Sequence, residues 1–226
     1  MTEGQSYQAL RKTPCQTLIT WPISIGMPCI AATAATPCPP DTPLLAHTAT
    51  LTPGTALDLG CGAGGNALEL VRRGWRVTGV DIAPRALASA RASACARGLE
   101  LELVLGDSVT WRPEIRYDLV LSSYALPVGA AAQAATYATI AAALAPGGTL
   151  VLAEWDGERT TWAGPGELVT AAALDEGIVA AGLRVERLER VLVPAHRHRG
   201  DESPVPREAA LVLVARAAHD ILGSGH

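Results

Sequence analysis

From about residue 50 onward, short apolar runs alternate with alanine-rich stretches of helical period. Apolar runs of roughly four to eight residues bounded by Gly, Pro or Asp read as buried strands. Such runs occupy 55–60 (TALDLG), 75–81 (WRVTGVD), 101–107 (LELVLGD), 117–123 (YDLVLSS) and 149–155 (TLVLAEW). Helices are predicted between them: over 66–73, stopped by Gly74; over 84–98, opened by Pro84 and closed by Gly98; and over 130–148, closed by Pro146-Gly147-Gly148. A further helix is predicted over 166–182. Two last β runs, 183–193 and 209–217, have no helix fitting between them and are expected to pair antiparallel.

Regular strand–helix alternation implies an α/β fold, a parallel sheet with helices on both faces. The first five runs are apolar on both faces, as a sheet covered on both sides requires. Ligands of such sheets bind beyond the carboxyl ends of the strands. Before residue 50 the pattern is lost. The expected division is an N-terminal arm or lid over residues 1–45 and a ligand-binding domain over 46–226.

Composition changes this picture in three places. The chain has 226 residues, a net charge of −4 and a pI near 5.7, with no basic stripe. No nucleic-acid partner is therefore expected. Phe is absent and the basic residues are almost all Arg, a bias that fits a high-GC bacterial genome. The five cysteines (Cys15, Cys29, Cys38, Cys61, Cys95) form no C-x-x-C pair, so a reducing cytoplasm is expected. Residues 13–40 carry no charge, yet Pro14, Pro22, Pro28, Pro37, Pro39 and Pro40 cut them into pieces too short to span a bilayer, so no membrane role is expected. A lid over a pocket or a homodimer interface would each bury this uncharged arm.

The chemistry concentrates in Asp58-Leu-Gly60-Cys61-Gly62-Ala-Gly64-Gly65, which follows one predicted strand and opens a helix. Glycines there allow positive φ and let a ligand lie against the backbone. Alone, such a loop also fits a plain strand–helix turn. Three acids change its meaning. Asp81 ends the second strand, where a carboxylate can accept both hydroxyls of a ribose. Asp107 ends the third strand, where it can accept from an exocyclic adenine amine. Asp58 beside the loop suits a cationic ligand and repels a pyrophosphate. Together they describe a nucleoside site with positive charge near the glycines.

The stretch ALDLGCGAGGNALELVRRGWRVTGVDIAPRALASARA resembles the class I S-adenosylmethionine-dependent methyltransferases, and the resemblance extends over about residues 50–217. The family's acid-x-Gly-x-Gly-x-Gly motif falls on Asp58, Gly60, Gly62 and Gly64, with Cys61 inside the loop. Its ribose-binding acid falls on Asp81, its adenine-flanking apolar residue on Ile82, and its acid after the third strand on Asp107, followed by Ser108. YDLVLSSYALP is similar to the family's fourth-strand motif, where the backbone around Ser122 meets the methionine ammonium. The resemblance implies a Rossmann-like, doubly wound seven-stranded sheet in the order 3-2-1-4-5-7-6 with strand 7 antiparallel. It implies S-adenosyl-L-methionine as cofactor and a cytoplasmic transferase acting in methylation. The departure is the arm, which lacks the charged amphipathic helix usual in small members of the family.

Methyl transfer from a sulfonium is an in-line displacement that needs alignment more than acid–base groups. Tyr124, Glu154 and His196 are the candidate catalytic residues. Tyr124 either faces the substrate or packs beneath its loop. Glu154 accepts a proton or binds a substrate amine, the alternative being a solvated loop acid. His196 lies in PAHRHRGDESPVPRE with His198, Asp201 and Glu202, but no third ligand has metal spacing, so no metal is expected. The expected function is methylation of a small molecule at O, N or S, first of all a biosynthetic natural-product intermediate. A thiol- or chalcogen-detoxifying enzyme, a peptide methyltransferase and a non-catalytic cofactor-binding regulator are the alternatives. A dinucleotide oxidoreductase is disfavoured by Asp58 and by the final antiparallel strand.

Overall fold

The computed structural model describes residues 39–160, 163, 164, 166–194 and 207–218. Seven strands form one sheet: β1 (Thr55–Leu59), β2 (Arg76–Asp81), β3 (Glu102–Leu105), β4 (Tyr117–Ser123), β5 (Leu144–Trp155), β6 (Leu183–Pro194) and β7 (Arg207–Ala217). Their order is β3-β2-β1-β4-β5-β7-β6. The first five strands run parallel, and β7 pairs antiparallel with both β5 and β6. This is the order and the antiparallel last strand that the resemblance implied.

Side chains alternate between two cores. On one face Leu57, Val120, Leu150 and Leu152 pack with Tyr137 and Ile140 of α4 (Ala130–Ala143) and with Leu174 and Ile178 of α5 (Ala171–Ala180). On the other, Ala56, Leu119, Leu121, Val151 and Ala153 pack with Ala67 and Leu70 of α2 (Gly65–Arg72) and with Leu44 and Leu45 of α1 (Thr42–Ala46). The helix α3 (Pro84–Ala96) lays Leu87 and Ala90 against Cys61 and Leu103.

Two boundaries differ from those read in the sequence. The helix predicted over 130–148 ends at Ala143, and β5 begins at Leu144. Leu144 pairs with Tyr117 and Thr149 with Leu119, so the Pro146-Gly147-Gly148 turn is a bulge inside a strand. Pro146 has no N–H to give and Gly147 takes φ 72°, so neither continues the helix, while the buried Leu144 is drawn into the sheet. The helix predicted over 166–182 begins at Ala171, where the Thr170 hydroxyl accepts from the Ala173 N–H at 3.2 Å. A side-chain cap outweighs the apolar residues that precede it.

The short helix α1 is capped by its own Asp41 and tied by it to two other elements, β4 and α2. Its cap Asp41 accepts from the Leu44 N–H at 3.2 Å and from the Ser123 hydroxyl at 2.9 Å, and its own N–H donates to Asn66 Oδ1 at 2.7 Å. Leu44 and Leu45 are 0% and 1% exposed. Truncating Leu44 to Ala is expected to cost about 3 kcal/mol, since a buried leucine loses its transfer energy and leaves a cavity. Urea unfolding of the variant checks this, and a loss below about 1 kcal/mol would show that α1 sits outside the cooperative core.

Candidate active site

The strand order places the sequence-predicted residues along one edge. Reading β3, β2, β1, β4, β5 across the carboxyl ends gives Asp107, Asp81, the glycine loop, Ser122 to Tyr124, and Glu154. At about 4.8 Å per strand the row spans roughly 19 Å, room for an extended nucleoside with an amino-acid tail.

The glycine loop is tied to β2. Gly60 and Cys61 both donate to the Val80 carbonyl, at 2.8 and 3.0 Å. The Gly62 N–H donates to Asp81 Oδ2 at 2.7 Å, and the Ala83 N–H donates to Asp81 Oδ1 at 2.8 Å. Each Asp81 oxygen keeps an acceptor site for a further donor. Gly60 and Gly62 differ in what they face. A Cβ on Gly60 would lie 2.2 Å from the Ala125 Cβ, whereas a Cβ on Gly62 would meet nothing within 4 Å. Gly60 is therefore required by packing, and Gly62 opens the loop to the space above it. Gly64 caps α2 from φ 83° and lies against Ala90 of α3.

Asp58 is 1% exposed, and no hydrogen bond of ordinary geometry reaches either carboxylate oxygen. Burial, with the nearby Asp81 charge adding to it, pushes its pKa up to about 7, and the Ala67 backbone N–H offsets part of the rise. An acid left in this condition is matched to a cationic group arriving from outside. Cys61 is buried, and burial with the charges of Asp58 and Asp81 pushes its thiol well up, so it serves as a protonated apolar packer.

Ile82 is 67% exposed at the end of β2, an apolar side chain facing open space beside Asp81. Asp107 caps the turn after β3, accepting from the Val109 N–H at 2.9 Å, and the Ser108 hydroxyl lies 3.2 Å from Thr136 Oγ1 on α4. Ser122 is buried at the end of β4. Tyr124 takes φ 52°, uncommon for a residue with a side chain, and stacks on Trp155 with ring centroids 4.6 Å apart. Burial, then the Asp41 and Glu154 charges, raise its phenol above the usual range.

Glu154 is not a solvated loop acid. It is 6% exposed, its Oε1 has no hydrogen-bond partner, and burial pushes its pKa up to about 8 against the pull of the Leu126 and Ala125 backbone N–H groups. Its neighbour Asp156, fully buried, accepts from Arg190 Nε at 2.6 Å and from the Glu158 N–H at 3.0 Å, so it serves the fold. His196 lies outside the described residues. Sequence reasoning missed Asp41 as a link between α1, β4 and α2, and it missed Tyr137, whose hydroxyl is buried without a partner. Asp41 had one signal, as the first charge after the long uncharged arm. Tyr137 sits in an apolar helical pattern and had none.

The donor set fits a nucleoside carrying positive charge: orphaned Asp58, two open acceptor positions on Asp81, an exposed apolar residue beside it, and open space over Gly62. Among the described residues no cluster of His, Cys, Asp and Glu has the makings of a metal site, and no helix is long and apolar enough to cross a membrane.

The comparisons with known proteins agree with this geometry. The model of a methyltransferase domain family matches residues 56–148. Trans-aconitate 2-methyltransferase of Methylobacterium radiotolerans is 33% identical over 163 residues, covering 69% of this chain and 59% of that protein. A solved structure described under conversion of a disulfide bond into a thioacetal group during echinomycin biosynthesis superposes with a TM-score of 0.68. It is 24% identical, with 80% of this chain and 83% of that one covered. Magnesium protoporphyrin IX methyltransferase from Synechocystis, solved with bound SAM, gives a TM-score of 0.58 at 19% identity, covering 77% and 74%. Residues 56–148 thus match a methyltransferase domain, and the sheet has the fold of solved S-adenosylmethionine-dependent methyltransferases. The chain spans less than two thirds of the length of the curated relatives it matches.

Proposed function

We propose that this protein methylates a small-molecule acceptor, in the first instance a natural-product intermediate, using S-adenosylmethionine. The observation that carries the reading is the buried, partnerless Asp58 set beside a glycine loop open at Gly62. The bound cofactor would supply a methyl group already activated on a sulfonium. Asp81 accepts from the ribose hydroxyls, Ile82 flanks the adenine, and Asp107 with Ser108 receives its amine edge. Asp58, the backbone from Gly60 through Cys61 and Gly62 to Gly64, and the end of β4 at Ser122 hold the charged amino-acid part. The binding domain, read in the sequence from residue 46, takes in α1 as well, since Leu44 and Leu45 belong to its core. The arm ahead of α1 serves as a lid or in a homodimer. Tyr124 and Glu154 line the acceptor side, and His196 is a second candidate base from the β6–β7 connection. The described neighbour from echinomycin biosynthesis supports the natural-product reading by likeness of fold. The acid-rich edge and the absence of a basic stripe support a small molecule over a nucleic acid, in a cytoplasmic setting.

Calorimetric titration with S-adenosylmethionine and S-adenosylhomocysteine, with NAD as control, tests the reading. Micromolar binding of the sulfonium pair alone is expected. Asp81→Ala is expected to weaken both ligands at least about tenfold, since charge-assisted bonds to two hydroxyls are lost. Unchanged affinity in the folded variant places the ribose elsewhere.

A further inference from the structure

We propose that the methyl acceptor is an amine, and that Glu154 and Tyr137 form the buried polar floor that receives its nitrogen. The inference rests on the methyltransferase reading and narrows its substrate class.

Glu154 is the last residue but one of β5 and lies on the face of the sheet that α4 and α5 cover, the same face as Leu152 two residues before it. Tyr137 reaches into that core from α4 and is 3% exposed. Glu154 Oε1 and the Tyr137 hydroxyl are both buried without a hydrogen-bond partner. The two groups feel one another: Glu154 helps burial push the Tyr137 phenol up to about 12. Among the described residues no Lys, Arg or His pairs with Glu154, whereas buried Asp156 two positions later has Arg190. A buried acid oxygen and a buried hydroxyl on one face of the sheet, each without a partner and each within the other's field, call for a ligand group that donates to both and brings positive charge.

The field selects among nucleophiles. Burial raises both nearby phenols, with Asp41 and then Glu154 adding to it at Tyr124 and Glu154 at Tyr137. The same surroundings disfavour a substrate phenolate or thiolate, which must be an anion to react well. An alcohol holds its proton too tightly for a carboxylate to remove. An amine reacts as the neutral species, and desolvation favours that species over the ammonium. With its pKa near 8, Glu154 also lies within exchange range of an alkylammonium. The nitrogen lone pair bonds to the methyl carbon as the carbon–sulfur bond breaks, and that bond's electron pair stays on sulfur, leaving a neutral thioether. Glu154 takes the proton of an arriving alkylammonium before attack, and the methylated nitrogen departs as an ammonium carrying the positive charge that sulfur has lost. The Tyr137 hydroxyl holds the nitrogen in line.

The test uses the full chain saturated with S-adenosylhomocysteine and carbon-13-labelled at glutamate, with the Glu154 signal assigned through Glu154→Gln. Benzylamine, benzyl alcohol and benzyl mercaptan are titrated separately. Benzylamine is expected to bind at least tenfold more tightly than the other two and to move the Glu154 signal toward the ionised form. Glu154→Gln should erase the preference, and Tyr137→Phe should weaken benzylamine three- to tenfold, both with S-adenosylhomocysteine affinity intact. Equal binding of the three probes, a preference that survives Glu154→Gln, or a Glu154 signal that no probe moves overturns the amine assignment alone. Failure of S-adenosylhomocysteine to bind overturns the methyltransferase reading beneath it.

Discussion

Raising the pH from 5 to 8 is expected to destabilise the ligand-free protein, the reverse of the usual behaviour of a carboxylate-rich chain. Asp58 and Glu154 carry pKa values raised from 3.8 to about 7 and from 4.5 to about 8. The folded state therefore holds protons that the unfolded state releases between about pH 4 and 8, and stability falls with pH across that window. Shifts of about three units correspond to on the order of 4 kcal/mol for each group once fully ionised. Both side chains are nearly sealed from solvent, at 1% and 6% exposure, so little of this is screened. Below about pH 4 the trend reverses. Glu69, held down to about 2 chiefly by its hydrogen bond from Arg72, contributes stability above its unfolded pKa of 4.5 and loses it as the pH falls through 2. That pair is exposed, so its share is small. Thermal unfolding at pH 5 and pH 8 should show a midpoint at least about 10 °C lower at pH 8. The difference should shrink in Asp58→Asn and in Glu154→Gln, and vanish in the double variant. A midpoint at pH 8 equal to or above that at pH 5 would mean that neither carboxyl is buried as described.

Gly60→Ala is expected to cost about 4 kcal/mol and to abolish measurable cofactor binding. Part of that cost is backbone: Gly60 sits at φ 80°, where a Cβ is strained. The rest is contact, because the new methyl would stand 2.2 Å from the Ala125 Cβ, a group with no free end to swing away. Relief requires moving the Ala125 loop, whose backbone N–H groups hold Glu154 in check, or moving the Gly60 N–H off the Val80 carbonyl. Either movement distorts the site. The companion change Ala125→Gly removes the contact and leaves the φ strain, so the double variant should recover about half the lost stability. Urea unfolding with calorimetric titration of S-adenosylhomocysteine separates the two effects. A single variant with wild-type stability would show that Gly60 is free of Ala125.

Some of this was legible in the residues alone because it is local. Strand–helix alternation comes from apolar runs and their glycine and proline stops, so β1, β2 and β4 fall within a residue or two of where they were read. The glycine loop and the acids Asp81 and Asp107 lie at strand ends, and a strand end is visible in one dimension. The order of the sheet was legible through the family resemblance, with the antiparallel final pair also readable from the missing helix between β6 and β7.

The tertiary structure alone decided the rest, because burial and neighbours are properties of the whole packing. The sequence contains Asp58, Glu154 and Asp156 as three similar acids. The fold seals all three, then gives Arg190 to Asp156 and leaves Asp58 and Glu154 Oε1 without partners. Helical period ran on past Ala143, and only the pairing of Leu144 with Tyr117 turned that stretch into strand. Tyr137 looked like one more apolar position until the fold buried its hydroxyl without a partner and within the field of Glu154. Periodicity determines which residues go inside, whereas the charge a buried group must carry, and what has to answer it, depends on contacts that no local pattern records.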